Sequence, residues 1–126
     1  MSTTDELETE EHVAEQYRFA AERKVWWPTT IYLPVDHGRT REIPVEFFYE
    51  VPDRDQSKAL SEMPNDEFEA ELKRRIHGWS DNIADENGKP IPFNKENLDA
   101  LMAKPEFMEA AHRGLLNASL GAAVKN

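Results

Sequence analysis

Two stretches of alternating residues, Val25 to Val35 and Arg41 to Val51, constrain this chain more than anything else in it. Successive side chains of a β-strand point to opposite faces, so an apolar residue at every second position marks a strand with one buried side. On the first stretch Trp27, Thr29, Ile31, Leu33 and Val35 share a face, and on the second Ile43, Val45, Phe47, Tyr49 and Val51 do. Between them, Asp36-His37-Gly38-Arg39-Thr40 has a central glycine free to take positive φ, which predicts a β-hairpin. Pro28, Pro34 and Pro44 lack the N–H that a central ladder needs, so edge strands or bulges are expected. The opposite face mixes Trp26, Tyr32 and Phe48 with Thr30, Glu46 and Glu50. Trp26 and Trp27 are adjacent and cannot both enter one core. Either helices cover both faces, or Trp26, Tyr32 and Phe48 form an apolar patch that binds a partner or another subunit.

Helical spacing dominates the rest. Asp5 to Lys24 is acidic, with a thin apolar stripe of Leu7, Val13, Tyr17 and Ala20 or Ala21, and is expected to be an arm or a marginal helix. Asp53 to Met63 is expected to form a short helix with Ala59, Leu60 and Met63 inward. A longer helix is predicted from Asn65 as N-cap, with Phe68, Leu72, Ile76 and Trp79 on one face, Lys73-Arg74-Arg75 near its C-terminus and Gly78 ending it. Asn87-Gly88, Pro90 and Pro92 mark an ordered turn. Asn94 then caps a helix on which Phe93 staples to Leu98, with Leu101 and Met102 also inward. A last helix starts at Pro105, buries Phe107, Ala111, Leu115 and Ala118, and is capped by Gly121. The expected fold is α+β: an N-terminal antiparallel β-hairpin or small sheet packed against C-terminal helices, preceded by an acidic helical arm. Residues 1–24 are the arm and residues 25–126 a single domain, as 126 residues suggests.

Charge narrows the partners. A net charge of −10 repels phosphate and anionic lipid, so neither nucleic acid nor membrane is expected to bind. Cysteine is absent, which removes disulfides, thiolate nucleophiles and Cys-based zinc sites. Met1 to Glu15 is acidic where a signal peptide would be basic and then apolar, so a cytoplasmic address is expected.

Catalytic and metal motifs are lacking. Asp81 to Gly88 has the composition of a calcium loop, but setting Gly88 at loop position six puts Ile83 at position one and Asn94 at position twelve, where carboxylates are needed. His12, His37, His77 and His112 make no pair at helical spacing. There is no Gly-rich phosphate loop and no G-x-S-x-G elbow. The chain is therefore read as a non-enzyme with no catalytic, cofactor or metal residues.

Gly78-Trp79, then Asp85-Glu86-Asn87-Gly88-Lys89-Pro90-Ile91-Pro92-Phe93-Asn94-Lys95-Glu96-Asn97-Leu98, then a helix beginning near Pro105, resemble the tail assembly chaperone family of long-tailed phages and prophages. The likeness runs from about Trp26 onward and is strongest over Gly78 to Leu98; the long acidic arm and the hydrophilic Asp53 to Ser57 depart from it. The resemblance implies a protein of the host cytoplasm that binds the tape-measure protein, recruits tail-tube subunits and is absent from the finished virion. It also implies a longer product of ribosomal frameshifting. The structural motif residues are Gly78, Trp79, Asn87, Gly88, Pro92, Phe93 and Asn94; the partner-binding candidates are Trp26, Tyr32 and Phe48, with homo-oligomerisation open. The competing readings are an acidic DNA mimic, whose field the 15 interspersed Lys and Arg would break, and a small hydrolase.

Overall fold

Strands β1 (Arg23–Val35) and β2 (Arg39–Val51) form the expected hairpin in this computed structural model, which describes residues 14–121. They pair antiparallel from Arg23↔Val51 to Val35↔Arg39. The turn between them is only Asp36–Gly38, with His37 and Gly38 at φ 66 and 72. A third strand, β3 (Ile76–Trp79), adds to the other side of β2 and gives the order β1-β2-β3. Among the described residues four helices complete the α+β fold: α1 (Arg54–Ser61), α2 (Asn65–Arg75), α3 (Lys95–Met102) and α4 (Pro105–Leu120).

The three prolines fit because of where the pleat sends their backbones. In an antiparallel strand, each residue's N–H and C=O point to the same side, and alternate residues point to opposite sides. Thr30 gives its carbonyl to Arg113, away from β2, while Glu46 gives both backbone groups to Ser80, away from β1. Even-numbered residues of both strands therefore turn their backbones away from the hairpin partner. Pro28, Pro34 and Pro44 are all even, so none removes a rung. Pro44 lies beyond the reach of β3, where its carbonyl accepts from the Asn82 side chain at 2.7 Å.

The odd-numbered face is the core. Ile31, Val45, Phe47, Tyr49 and Val51 form one buried cluster with Leu72, Leu98, Phe107, Ala110, Ala111 and Leu115, so the helices pack on that single face. Helix α4 crosses closely because Ala110, Ala111, Gly114 and Ala118 are small. Tyr49 donates its hydroxyl to the Ala111 carbonyl at 2.7 Å, and Thr29 donates to the Ala110 carbonyl at 3.1 Å. Burial pushes the Tyr49 phenol well above its ordinary pKa, so it stays a donor. A Cβ at Gly114 would overlap the Tyr49 hydroxyl and sit 3.2 Å from the Thr29 Cβ.

Several expectations are corrected. The helix predicted through Trp79 ends at Arg75, and Ile76 at φ −94, ψ 123 begins a strand. Ile76 pairs with Tyr49 and Trp79 with Phe47, so His77 is an extra, bulged residue. That bulge lets two residues three apart share the core face, a spacing that otherwise signals a helix. Asn65 is the first helical residue and not the cap; Pro64 precedes it, with no side-chain cap. Arg75 leaves the basic cluster to become 2% exposed, paired with Glu71 at 3.2 Å and Glu50 at 3.6 Å. Ala59 is exposed, whereas Leu60 of the same short helix is buried. Residues 14–22 are not helical, and Arg23 and Lys24 already belong to β1. The rest of the arm, residues 1–13, and the tail after Gly121 lie outside the described residues.

Gly114→Ala should destabilise the protein by about 2–4 kcal/mol, combining overpacking with loss of the Tyr49 hydrogen bond. In a Tyr49→Phe background the same change should cost at least about 1 kcal/mol less, since the clashing atom is gone. Urea midpoints of the four proteins in this cycle measure the difference.

Candidate functional site

The even-numbered face of the sheet carries no helix among the described residues, and its aromatics remain in solvent. Trp26 is 50% exposed and Tyr32 44% exposed, the values expected if only one face of the hairpin is core. The alternative weighed from sequence, helices on both faces, is not what the described residues adopt.

Register decides which of the candidates meet. Trp26 faces Phe48 directly across the hairpin, and their rings stack with centroids 5.1 Å apart. On the next strand the neighbour of Phe48 is Gly78. A Cβ there would lie 3.4 Å from the Phe48 Cβ and 3.5 Å from the Trp26 ring, so the indole extends across Phe48 onto bare backbone. Gly78 was expected to terminate a helix; in the structure it is the floor beneath Trp26. Tyr32 stands apart. It is six residues along β1 from Trp26, about 20 Å at strand rise, and faces Glu42. Its ring lies under the Arg113 guanidinium at 5.0 Å.

Arg113 was invisible to sequence reading. From α4 it donates to the Thr30 carbonyl at 2.8 Å and to the Thr29 hydroxyl at 3.2 Å, while Glu109 one turn earlier holds it in place. The hydrogen bond from Arg113 keeps the Glu109 carboxyl below its usual range, and that from Arg74 does the same for Glu71. The only sequence signal for the first pair was the Glu-x-x-x-Arg spacing, which is common on solvated helices.

The residues of the Gly78 to Leu98 segment have local structural roles. Trp79 donates its indole N–H to the Ile91 carbonyl at 2.8 Å and packs edge-on against Phe93 and Phe107. Asp85 closes the turn by accepting from the Asn87 and Lys89 amides at 2.9 and 3.0 Å, with Gly88 at φ 80. Asn94 caps α3 by accepting from the Asn97 amide, and Asn97 returns a bond to the Pro92 carbonyl. Phe93, expected to staple to Leu98, is 38% exposed and covers the edge of Trp79. The aspartate that a calcium loop would need for a ligand is thus occupied with backbone.

Among the described residues, no group of three or more His, Asp or Glu is placed to hold a metal ion. His37 sits in the hairpin turn, His77 lies 3.4 Å from Glu50 and His112 packs on Phe68; His12 is outside the described residues. The groove between α2 and α3 is rimmed by Lys73, Lys95 and Asp99, whose charges pair with one another. No described helix is long and apolar enough to cross a membrane.

Gly78→Val should push the indole off its stack, changing near-ultraviolet circular dichroism while shifting stability by no more than about 1 kcal/mol. A second expectation concerns acid. Glu71 and Glu109 have folded pKa values below the ordinary 4.5, so their stabilisation is complete above that value and is lost as pH falls through the lower folded values. Urea midpoints should fall below about pH 4.5, and less steeply for Glu109→Gln. Comparison with protein-family models, with curated proteins and with solved structures finds no match for this chain.

Proposed function

We propose that this chain is a non-enzymatic assembly factor, a tail assembly chaperone of a long-tailed phage. In this reading it binds the tape-measure protein in the host cytoplasm, recruits tail-tube subunits and leaves before the virion is complete. The observation that carries the binding role is the Trp26–Phe48 stack, in which Trp26 is half exposed and Phe48 partly buried beneath it, on a sheet face that no described helix covers. A protein with net charge −10 stays soluble while presenting such a patch, as a chaperone of a long apolar client must. The family-like segment from Gly78 to Leu98 supports the reading in a second way. Its side chains are spent on turns, caps and one indole hydrogen bond, which suits a scaffold for binding and supplies no reacting group.

The competing readings fare less well. A DNA mimic needs an unbroken negative surface, whereas Glu50, Glu71 and Glu109 are each tied to an arginine. A hydrolase needs carboxylates with perturbed pKa values converging on a cleft, and the shifted carboxylates Glu71, Asp99 and Glu109 sit on three separate helices, each lowered by its own lysine or arginine partners.

Co-expression with the tape-measure protein of the same phage should yield a complex that copurifies. Replacing Trp26 and Phe48 together by serine should weaken capture at least tenfold, since buried aromatic anchors each carry about 2 kcal/mol or more. The melting temperature should change little. Unfolding of the variant would make the pair core, and unchanged capture would move the interface elsewhere.

A further inference from the structure

The open face also says what shape and charge of partner it can accept. A chain can join a sheet at an edge or lie across a face, and the edges here are closed to it. On β1 the outward backbone positions include Pro28 and Pro34, which have no N–H, and Thr30, whose carbonyl is taken by Arg113 at 2.8 Å. On β2 the outward groups of Glu46 bond Ser80 and that of Pro44 bonds Asn82. β3 has only four residues. Such devices discourage strand addition.

Across the face, Trp26 and Phe48 begin an apolar stripe that continues through Pro28 and Pro44 to Tyr32, over about 20 Å at strand rise. An extended peptide lying there would leave its own N–H and C=O groups without partners over apolar surface. A helix bonds its own backbone internally, which is why helices are the usual cover of a sheet face. About 13 helical residues span that length. Glu46 and Glu42 are both exposed and flank the stripe along β2, paired opposite Pro28 and Tyr32. They are four residues apart, about 13–14 Å, between two and three turns of a helix, so lysines or arginines two turns apart on one flank, about 10.5 Å, reach both with their long side chains.

We infer that the face bearing Trp26, Phe48 and Tyr32 receives an amphipathic helix whose apolar stripe is flanked by lysine or arginine. This rests on the protein-binding role proposed above and specifies the partner. Charge excludes the other candidates. A second copy would bring Glu42 and Glu46 against their own kind, and residues 1–13 of this chain contain Asp5, Glu6, Glu8, Glu10 and Glu11 with no lysine or arginine.

The test uses the full chain, labelled with nitrogen-15, and two synthetic 18-residue helices of leucine and alanine. One is flanked by lysines, its twin by glutamates at the same positions. The lysine probe should shift the amide resonances of Trp26, Tyr32, Glu46 and Phe48 and bind at least tenfold more tightly than its twin, less so at high salt. Glu42→Lys/Glu46→Lys should reverse the order of the two probes. Equal affinity for both, or shifts confined to other surfaces, would overturn the inference. A dimer in solution that Trp26→Ser dissociates would also overturn it, by seating a second copy there. So would a nitroxide on Ser2→Cys, the sole thiol in this chain, if it broadens Trp26. If the charge preference holds but no tape-measure protein is captured, the chaperone reading fails and this one stands. Capture that ignores Glu42→Lys/Glu46→Lys has the opposite meaning.

Discussion

The fold hangs on the contact between Tyr49, Thr29 and the middle of α4. Two buried hydroxyls donate to consecutive helix carbonyls, those of Ala111 and Ala110, and the missing side chain of Gly114 lets the helix come close enough to accept them. A hydrogen bond adds only about 1 kcal/mol net, but its geometry is specific where apolar burial is not. It fixes the height and rotation of α4 on the sheet. Phe107 then reaches Phe47 and Trp79, and Arg113 arrives at the sheet edge beside Thr30. With α4 committed to the odd-numbered face, the pleat leaves Trp26, Phe48 and Tyr32 on the other side.

Much of this was legible from residue order because a strand's parity is robust. The hairpin loop was read as Asp36 to Thr40, whereas the turn is Asp36–Gly38. The change in pairing is an even number of residues, so no side chain switched faces. Helix α4 was equally plain, with Phe107, Ala111, Leu115 and Ala118 at helical spacing and Gly121 in the left-handed conformation after it. The Asn94 cap was likewise readable, because its side-chain bond to the Asn97 amide is local.

What escaped depends on partners distant in sequence. Ile76 and Trp79 are three residues apart, which means a helix unless a bulge intervenes, and the bulge at His77 exists only because β2 is there to be paired. Gly114 gave no sign of being a contact point, since a glycine inside a helix otherwise signals only weakness. Arg75 read as a solvated end charge, yet it is buried against Glu50 of a different element. The shared face of the candidate residues was legible; the seating of Trp26 over Gly78 and the separation of Tyr32 needed the register of three strands.

The distance in sequence between the hairpin and the helix that covers it also orders events during synthesis. Thr29 waits 81 residues for Ala110, and Tyr49 waits 62 for Ala111. At the pace of translation, about 5–20 residues per second, the second interval lasts roughly 3–12 s. Throughout it the apolar residues of the hairpin segment lack the helix that will cover them. The prolines of β1 then matter most, because they keep neighbouring hairpins on the same message from joining edge to edge before α4 has been made.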